Sequence, residues 1–230
     1  MLVLGVDSTS DAATAALVRD GVLLCEYTQN QKKTHSVKML PMIEGMLSDL
    51  EIELSDIDVF ACGIGPGSFT GVRIGASTVK AFCDSLSKGA VAVTSLDALY
   101  NNVASFDGVV IPLIFAREGE CYTAAFENGE EILSPRVMTI DEIKQYALTF
   151  KKCLFSGDGA VINKETLSTL DNATFAEGRH NVISGAAIAE IGYKKAVSGE
   201  VSNSDIIAPL YLRKSQAERE YDEKHKGEEK

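Results

Sequence analysis

The sequence GIGPGSFTGVRIG, residues 63–75, decides how the chain is expected to fold. It holds five of the 19 glycines and follows an apolar run at 59–62, which predicts a strand. Apolar residues then recur at helical spacing, at positions 72, 76, 79, 82 or 83, and 86. The stretch therefore predicts a strand, a tight corner and a helix, with Ser68 or Thr70 capping the helix.

Two functions fit a corner of this kind. A glycine-rich loop at a helix N-terminus presents several backbone N–H groups, and these suit a phosphate. The alternative is a tight structural turn. The generic features favour the turn, because the stretch lacks both the Gly-Lys-Ser/Thr ending of a P-loop and the GxGxxG spacing.

Charge and cysteine content exclude several classes of protein. The net charge is −11, so the average field repels nucleic acid, and an RNA-related role needs a local basic patch or a partner. Five cysteines occur without a C-x-x-C pair, which argues against zinc knuckles and disulfide frameworks. Reduced and mostly buried thiols are expected.

No membrane span or secretion signal is visible in the sequence. The longest apolar run, residues 109–116, is eight residues long and contains Pro112. The first ten residues lack a basic region and a cleavable apolar core. We therefore expect a cytoplasmic protein.

The chain begins with three predicted strands, at 2–7, 13–18 and 22–27, and Asp20-Gly21 is a hairpin signal. Asp7 ends the first strand. Nucleotide-binding actin-like domains begin in this way, with the aspartate meeting metal and phosphate. An Asx-turn is the other interpretation of Asp7, and it is slightly favoured.

A helix is predicted to open at 34–36, with its apolar stripe at positions 37, 40, 43, 46 or 47, and 50. Met39 and Met42 lie off that stripe, so the helix has apolar residues on more than one face. Either both faces are ordinary core or one of them is an adaptable contact surface. Pro41 is expected to kink this helix or to mark its first turn.

The second half repeats the pattern of the first. Strands are predicted at 109–115, 122–126 and 131–133, a helix at 141–150, a strand at 153–156 and a helix at 186–197. The chain is therefore expected to comprise an N-terminal lobe at 1–104, a smaller C-terminal lobe at 105–213 and a charged, solvated tail at 214–230.

Recognisable catalytic motifs are missing. The three histidines, at 35, 180 and 225, form no H-E-x-x-H or H-x-x-x-H motif, and no G-x-S-x-G elbow occurs. The carboxylates Asp97, Glu118, Glu120 and Asp158 form no general-base set that the sequence itself identifies. The pattern indicates a nucleotide-type fold without evident chemistry.

Four segments in consistent order closely resemble the bacterial TsaB (YeaZ) family: GPGSFTGVRIG at 65–75, HS at 35–36 followed by LP at 40–41, AREGECY at 116–122 and PLYLR at 209–213. The resemblance covers residues 1 to about 215. It implies a two-lobed α/β fold of the actin, sugar-kinase and heat-shock-chaperone superfamily, which is ribonuclease H-like, with a reduced second lobe.

The resemblance also implies a function. It predicts a non-catalytic scaffold and activator for installing threonylcarbamoyl on adenosine 37 of ANN-decoding tRNAs. The implied partners are the catalytic paralogue TsaD and the ATPase TsaE, with a homodimer in isolation and only indirect tRNA contact. No cofactor is expected to bind tightly, and a nucleotide at the partner junction is an alternative. The rival functions are an ATP-binding kinase-like enzyme and a glycoprotease-type metallopeptidase.

Site residues follow from the same resemblance. The stretch at the partner junction supplies Gly65, Pro66, Gly67, Ser68, Phe69, Thr70, Gly71, Arg73 and Gly75. The two interface helices supply His35, Met39, Met42, Ile43, Met46, Ile74, Thr78 and Ala81.

Two positions bear on catalysis within the resemblance. Ser95 and Leu99 stand where TsaD carries its H-x-x-x-H metal motif, so no metal site is expected. Phe115 stands where related sequences commonly have Asp. The segment at 157–159 resembles a degenerate adenosine-binding turn. Because Arg73 lies in a first helical turn, where the helix dipole disfavours a cation, it is expected to have an acidic or phosphate partner across the junction.

Overall fold

A computed structural model describes residues 1–30 and 35–213, and its strands form two five-stranded sheets. In the first sheet the order is β3-β2-β1-β4-β5, with the first three strands antiparallel and the last three parallel. Its strands are β1 (Leu2–Asp7), β2 (Ala12–Arg19), β3 (Val22–Asn30), β4 (Val59–Gly63) and β5 (Gly89–Val93).

The second sheet has the same arrangement, in the order β8-β7-β6-β9-β10. Its strands are β6 (Val109–Arg117), β7 (Glu120–Glu127), β8 (Glu130–Thr139), β9 (Cys153–Ser156) and β10 (Ala173–Phe175). In each half a three-stranded antiparallel meander comes first, and two parallel strands then extend the sheet from the edge formed by the first strand. The expected duplication of an α/β unit is therefore present.

Seven α-helices lie in the described part of the chain. They are α1 (His35–Asp49), α2 (Phe69–Leu86), α3 (Ser95–Asn101), α4 (Ile140–Ala147), α5 (Asp158–Ile162), α6 (Lys164–Leu167) and α7 (Gly185–Val197). Helices α4, α5 and α6, which lie between strands of the second half, are thus much shorter than α1 and α2 of the first half. Local sequence sets several helix starts: Thr94 and Asp97 form a capping box at α3, and Thr139 and Glu142 form one at α4.

One apolar core is shared by the two sheets. It includes Val3 and Ala61 from the first sheet, Ile114 and Tyr122 from the second, and residues of α3 and α7. Helix α7 follows the second sheet in sequence but packs against the first. At Gly5 an added Cβ would lie 2.4 Å from the backbone nitrogen of Ala189, so the helix approaches the strand closely.

The packing of α7 bears on how the chain divides into an N-terminal and a C-terminal lobe. The strands of the first sheet lie within 2–93 and those of the second within 109–175, whereas α7 and the β-bridge between Ala90 and Ser202 return to the first sheet. The boundary at 104/105 stays a prediction. The expected tail at 214–230 lies outside the described residues.

Helix α1 buries a different face from the one that the sequence predicts. Its buried side carries Met39, Met42, Ile43, Met46 and Leu47 and packs in a core with α2 and the first sheet. The predicted stripe began with Val37 and Leu40, which are exposed. Pro41 lies in the middle of the helix and is also exposed. Both sets of positions have helical spacing, so the spacing alone did not identify the buried face.

Within residues 1–30 and 35–213 we find no helix with the length and apolar character needed to span a membrane.

Candidate functional site at the glycine-rich corner

The glycine-rich stretch is a corner between β4 and α2, as the sequence predicts. The Gly65–Pro66 peptide bond is cis, and Gly65 has φ +96°, a conformation that favours glycine. The Ser68 side chain accepts a hydrogen bond from the backbone nitrogen of Gly71 (3.2 Å), which makes Ser68 the helix cap. Ser95, the first residue of α3, donates its N–H to the Gly65 carbonyl (2.9 Å). The corner thus fixes the starts of two helices.

Three glycines of the corner pack against the turn that follows β1. A Cβ added at Gly63 would lie 1.8 Å from Asp7 Oδ2, and one at Gly71 would lie 1.9 Å from the Ser8 carbonyl oxygen. At Gly67 it would lie 2.2 Å from the Thr9 carbonyl oxygen. These distances leave no room for any side chain. Glycine is needed at 67 and 71 because the corner and the turn touch backbone to backbone there, and at 63 because the buried Asp7 carboxylate fills the space.

Hydrogen bonds join the same two segments. Ser68 donates its N–H to the Thr9 carbonyl (2.7 Å), and the Ser8 hydroxyl donates to the Gly71 carbonyl (2.8 Å). Asp7 Oδ1 accepts from the Thr9 N–H (2.9 Å), which is the Asx-turn that the sequence analysis favoured. The turn interpretation of Asp7 is therefore confirmed.

The hydroxyl of Thr9 extends this network to α3. Thr9 Oγ1 lies 3.0 Å from Asp7 Oδ2 and 2.8 Å from Ser95 Oγ. When Asp7 is ionised it can only accept, so the single Thr9 proton goes to the carboxylate and Ser95 donates to Thr9. All three side chains are buried. The position that the resemblance equated with the first metal-binding histidine is occupied by this serine, inside a satisfied hydrogen-bond network.

The packing favours a structural turn over a phosphate cradle. The glycines face carbonyl and carboxylate oxygens of the chain itself, which fill the space in front of them. The N–H of Gly71 is already bonded to Ser68, and that of Ser68 to Thr9. Among the described residues, no group of three or more histidine, cysteine, aspartate or glutamate side chains is placed to hold a metal ion.

Burial shifts the pKa of the Asp7 carboxyl at this site. Loss of solvent raises the pKa of Asp7 from 3.8 to about 6, against the opposing effect of the two hydrogen bonds from Thr9. The folded state therefore binds a proton more tightly than the unfolded state. The contribution of Asp7 to folding stability is largest below the unfolded pKa of 3.8 and is lost as the pH rises through about 6.

Replacing Asp7 by Asn should remove this dependence. Asn keeps an acceptor for the Thr9 N–H but carries no charge to bury. Relative to the unmodified protein, Asp7→Asn should gain roughly 2.5 kcal/mol in the free energy of unfolding between about pH 4 and pH 8. Urea unfolding at a series of pH values measures this gain. A constant difference between the two proteins across that range would contradict the buried-charge account.

A pair of glycine substitutions tests the close packing. Gly71→Ala should lower the free energy of unfolding by more than about 2 kcal/mol, because the Ser8 backbone cannot move away without breaking the turn. Gly45 lies in α1, where an added Cβ meets only a tyrosine ring atom at 3.8 Å. Gly45→Ala should therefore raise stability by about 0.5–1 kcal/mol. Equal effects at the two positions, measured by chemical denaturation, would refute the steric explanation.

The structure corrects part of the predicted interface. Met39, Met42, Ile43 and Met46 are at most 5% exposed and belong to the core of the chain, so they present no surface to a partner. On α2, Ile74 and Thr78 are half-buried and Ala81 is exposed. For His35, side-chain placement lies outside what the structure describes.

The exposed apolar surface of α1 is one the prediction missed. Val37 is 71% exposed and Leu40 is 45% exposed, and Pro41 beside them is also exposed. The sequence had assigned Val37 and Leu40 to the buried stripe. A count of both possible stripes would have shown the ambiguity without resolving it, since positions 39, 42, 43, 46 and 47 fit helical spacing equally well.

Within the described residues Arg73 contacts Tyr211, and the acidic or phosphate partner expected across the junction stays a prediction. The Nε of Arg73 donates to the hydroxyl of Tyr211 (2.9 Å), and its guanidinium lies 5.7 Å from the centre of the Tyr211 ring. Tyr211 in turn stacks on Phe69, with ring centres 4.9 Å apart. Two of the four segments that carried the resemblance, at 65–75 and 209–213, thus meet at the start of α2.

A small cavity lies near Asp11 and Asp158. Its volume is about 140 Å³, and it is also lined by Ser10, Leu99 and Ile114. The Asp158 carboxylate accepts from the backbone N–H groups of Phe115 and Gly159, and burial raises the pKa of this carboxyl. Two acidic side chains at one small cavity oppose an anionic ligand. This charge disfavours the phosphates of a nucleotide, while the resemblance of segment 157–159 to an adenosine-binding turn stays a prediction.

Comparison with known proteins agrees with this geometry. The family described as "TsaD: tRNA N6-adenosine threonylcarbamoyltransferase" matches residues 22–221. The tRNA threonylcarbamoyladenosine biosynthesis protein TsaB of Bacillus subtilis is 30% identical over 98% of this chain and 100% of its own. YeaZ from Pseudomonas aeruginosa has a TM-score of 0.76 and 24% identity, over 92% of this chain and 99% of its own. Component A of Acidaminococcus fermentans (R)-2-hydroxyglutaryl-CoA dehydratase has a TM-score of 0.54 and 10% identity, over 86% and 99%.

The two sheets and these likenesses define an α/β protein of the actin-like ATPase and sugar-kinase fold class, as predicted. Within that class, the chain belongs to the TsaB (YeaZ) family.

Proposed function

We propose that this chain is a non-catalytic subunit that scaffolds and activates a TsaD-type enzyme in the synthesis of threonylcarbamoyladenosine in tRNA. The family relationship supports the pathway, because the Bacillus subtilis relative carries that role in its name. The observation that carries the non-catalytic assignment lies at α3. Ser95 and Leu99, which replace the two histidines of the metal motif in the resemblance, are both buried.

These two positions are built into the fold. The Ser95 hydroxyl contacts Thr9, and Leu99 belongs to the core shared by the two sheets. Neither side chain is an effective metal ligand, and neither faces solvent. In this proposal the catalytic metal, the activated substrate and the tRNA are held by the TsaD-type partner, with a TsaE-type ATPase joining the pair.

The partner surface of the proposal is the exposed side of α1 and α2. Val37 and Leu40 are large apolar side chains in solvent, and Ile74 and Ala81 are accessible on α2. Such residues suit the apolar centre of a protein interface. The same surface would serve a homodimer in isolation, and a nucleotide at the junction is kept as an alternative. The complex works in the cytoplasm in this proposal, and the net charge of −11 fits indirect tRNA contact by this chain.

Reconstitution tests this function. The partner enzyme, the ATPase, tRNA and substrates should give threonylcarbamoyladenosine only when this chain is added, as measured by nucleoside mass spectrometry. The chain alone should give no product and should contain no stoichiometric iron or zinc. Full product without the chain would reject the activator role, while turnover of ATP or peptide by the chain alone would favour the rival enzymes.

Charge substitution on α1 tests the partner surface. Val37→Glu and Leu40→Glu should leave the unfolding of the isolated chain nearly unchanged, because both side chains are exposed. Each should weaken binding of the TsaD-type partner at least about tenfold, since a carboxylate would be desolvated in an apolar contact. Isothermal titration calorimetry provides the affinity.

Leu148→Glu is the matched control. Leu148 is 57% exposed and follows α4 on the second half of the chain, away from α1 and α2. This variant should bind the partner like the unmodified protein. Equal binding by all of these variants would place the partner elsewhere.

A further inference from the structure

Arg73 is an exposed cation close to the N-terminus of α2. It is the fifth residue of that helix, just beyond the first turn, where the unfavourable effect of the helix dipole on a cation is weak. No carboxylate within residues 1–30 and 35–213 forms an ion pair with it. Within the described residues, the one side chain that hydrogen-bonds to the Arg73 guanidinium is that of Tyr211, through its neutral hydroxyl. Tyr211 therefore holds the guanidinium group in place without neutralising its positive charge.

The residues around Arg73 fix its orientation. The Tyr211 hydroxyl takes the Nε proton, while the Tyr211 ring stacks on Phe69 with an angle of 13° between the ring planes. An arginine held in this way loses less side-chain entropy when it binds a partner than a free one does. The side chain is organised before any partner arrives.

The segment that carries Tyr211 is itself anchored on both sides. Leu210 donates its N–H to the Ile64 carbonyl (2.8 Å), which ties the segment to the corner. Leu212 packs against the core shared by the two sheets, and Arg213 lies 3.6 Å from Glu120 on the second sheet. Because of these anchors, Tyr211 is a fixed support for the arginine.

The remaining donors of Arg73 define what it recognises. With Nε occupied, the four N–H groups on Nη1 and Nη2 have no acceptor within the described residues. They form a planar fork that matches the two oxygens of a carboxylate. The Tyr211 ring lies beside the fork, 5.7 Å from the guanidinium carbon to the ring centre, and is itself 44% exposed.

We propose that Arg73 is a preorganised anchor that binds a carboxylate side chain of the TsaD-type partner at the start of α2. This inference rests on the proposed function and adds the chemistry of one contact to it. A protein carboxylate is favoured over an RNA phosphate because the chain carries a net charge of −11 and repels RNA. The position on α2 makes the contact continuous with the apolar surface of that interface.

Titration of the partner with Arg73→Glu tests the anchor, in the absence of tRNA and nucleotide. The affinity should fall at least about 100-fold, because the fork is lost and two carboxylates oppose each other. Arg136→Glu is the control: it makes the same change of charge at an exposed arginine on β8 and should alter affinity less than about threefold. Thermal unfolding of each isolated variant shows whether the fold is retained.

Tyr211→Phe provides a second test of the anchor, without reversing a charge. It removes the acceptor for Nε while keeping the stack on Phe69, so only the orientation of Arg73 is relaxed. We expect partner affinity to fall about three- to tenfold with unchanged thermal stability. In Arg73→Ala, the further change Tyr211→Phe should have no additional effect, because the two residues then act through one contact.

The outcomes separate this inference from the proposed function. If the unmodified chain does not bind the partner at all, both are overturned. If it binds and Arg73→Glu binds within threefold of it, the function stands and the anchor is rejected. The anchor is also rejected if the loss appears only when tRNA or nucleotide is present. It is rejected too if a chain ending at residue 213 binds the partner tenfold more tightly, because acidic residues of the tail would then occupy the fork.

Discussion

The constraint on which the structure depends is the backbone contact between the turn after β1 and the corner after β4. Gly63, Gly67 and Gly71 each lie so close to this turn that no side chain larger than hydrogen fits. The same contact buries Asp7 and positions Ser68 and Ser95 at the starts of two helices. One set of glycines therefore fixes the sheet, α2 and α3 relative to one another.

This contact explains how a fold shared with nucleotide-binding proteins can serve a binding role. In a phosphate loop the backbone N–H groups face an open site that takes an anion. Here the N–H groups of Ser68 and Gly71 are bonded within the chain, and the glycines face the chain's own oxygens. The corner holds α2 in place, and the exposed side of that helix becomes available for a partner.

The two halves are joined by more than the segment that connects them in sequence. The shared core draws residues from both sheets, and α7 approaches the first sheet through small residues. At Gly192 an added Cβ would lie 2.4 Å from that of Ala61. A core of this kind opposes hinge motion between the halves, because opening them would expose buried apolar surface. A rigid support suits the presentation of a fixed binding surface.

Sequence reasoning recovered the order of strands and the main helices because their signals are local. The hairpin at Asp20-Gly21 and the cap at Ser68 each follow from neighbouring residues. The orientation of α1 was wrong, since two stripes fit the same periodicity and only the tertiary packing selects one. The contact between Arg73 and Tyr211 joins residues 138 apart in sequence, and no local pattern predicts it. The strand β10 was missed because it is three residues long.

The central claim is that the turn at 7–9 is locked by the glycine corner and does not open to accept a ligand. Native-state hydrogen exchange of the Thr9 and Ser68 amides measures this directly, because both N–H groups are bonded within the contact. The account predicts that these amides exchange only through global unfolding, with the same free energy and denaturant dependence as the core of β1. Exchange through a local opening of much lower free energy would contradict it.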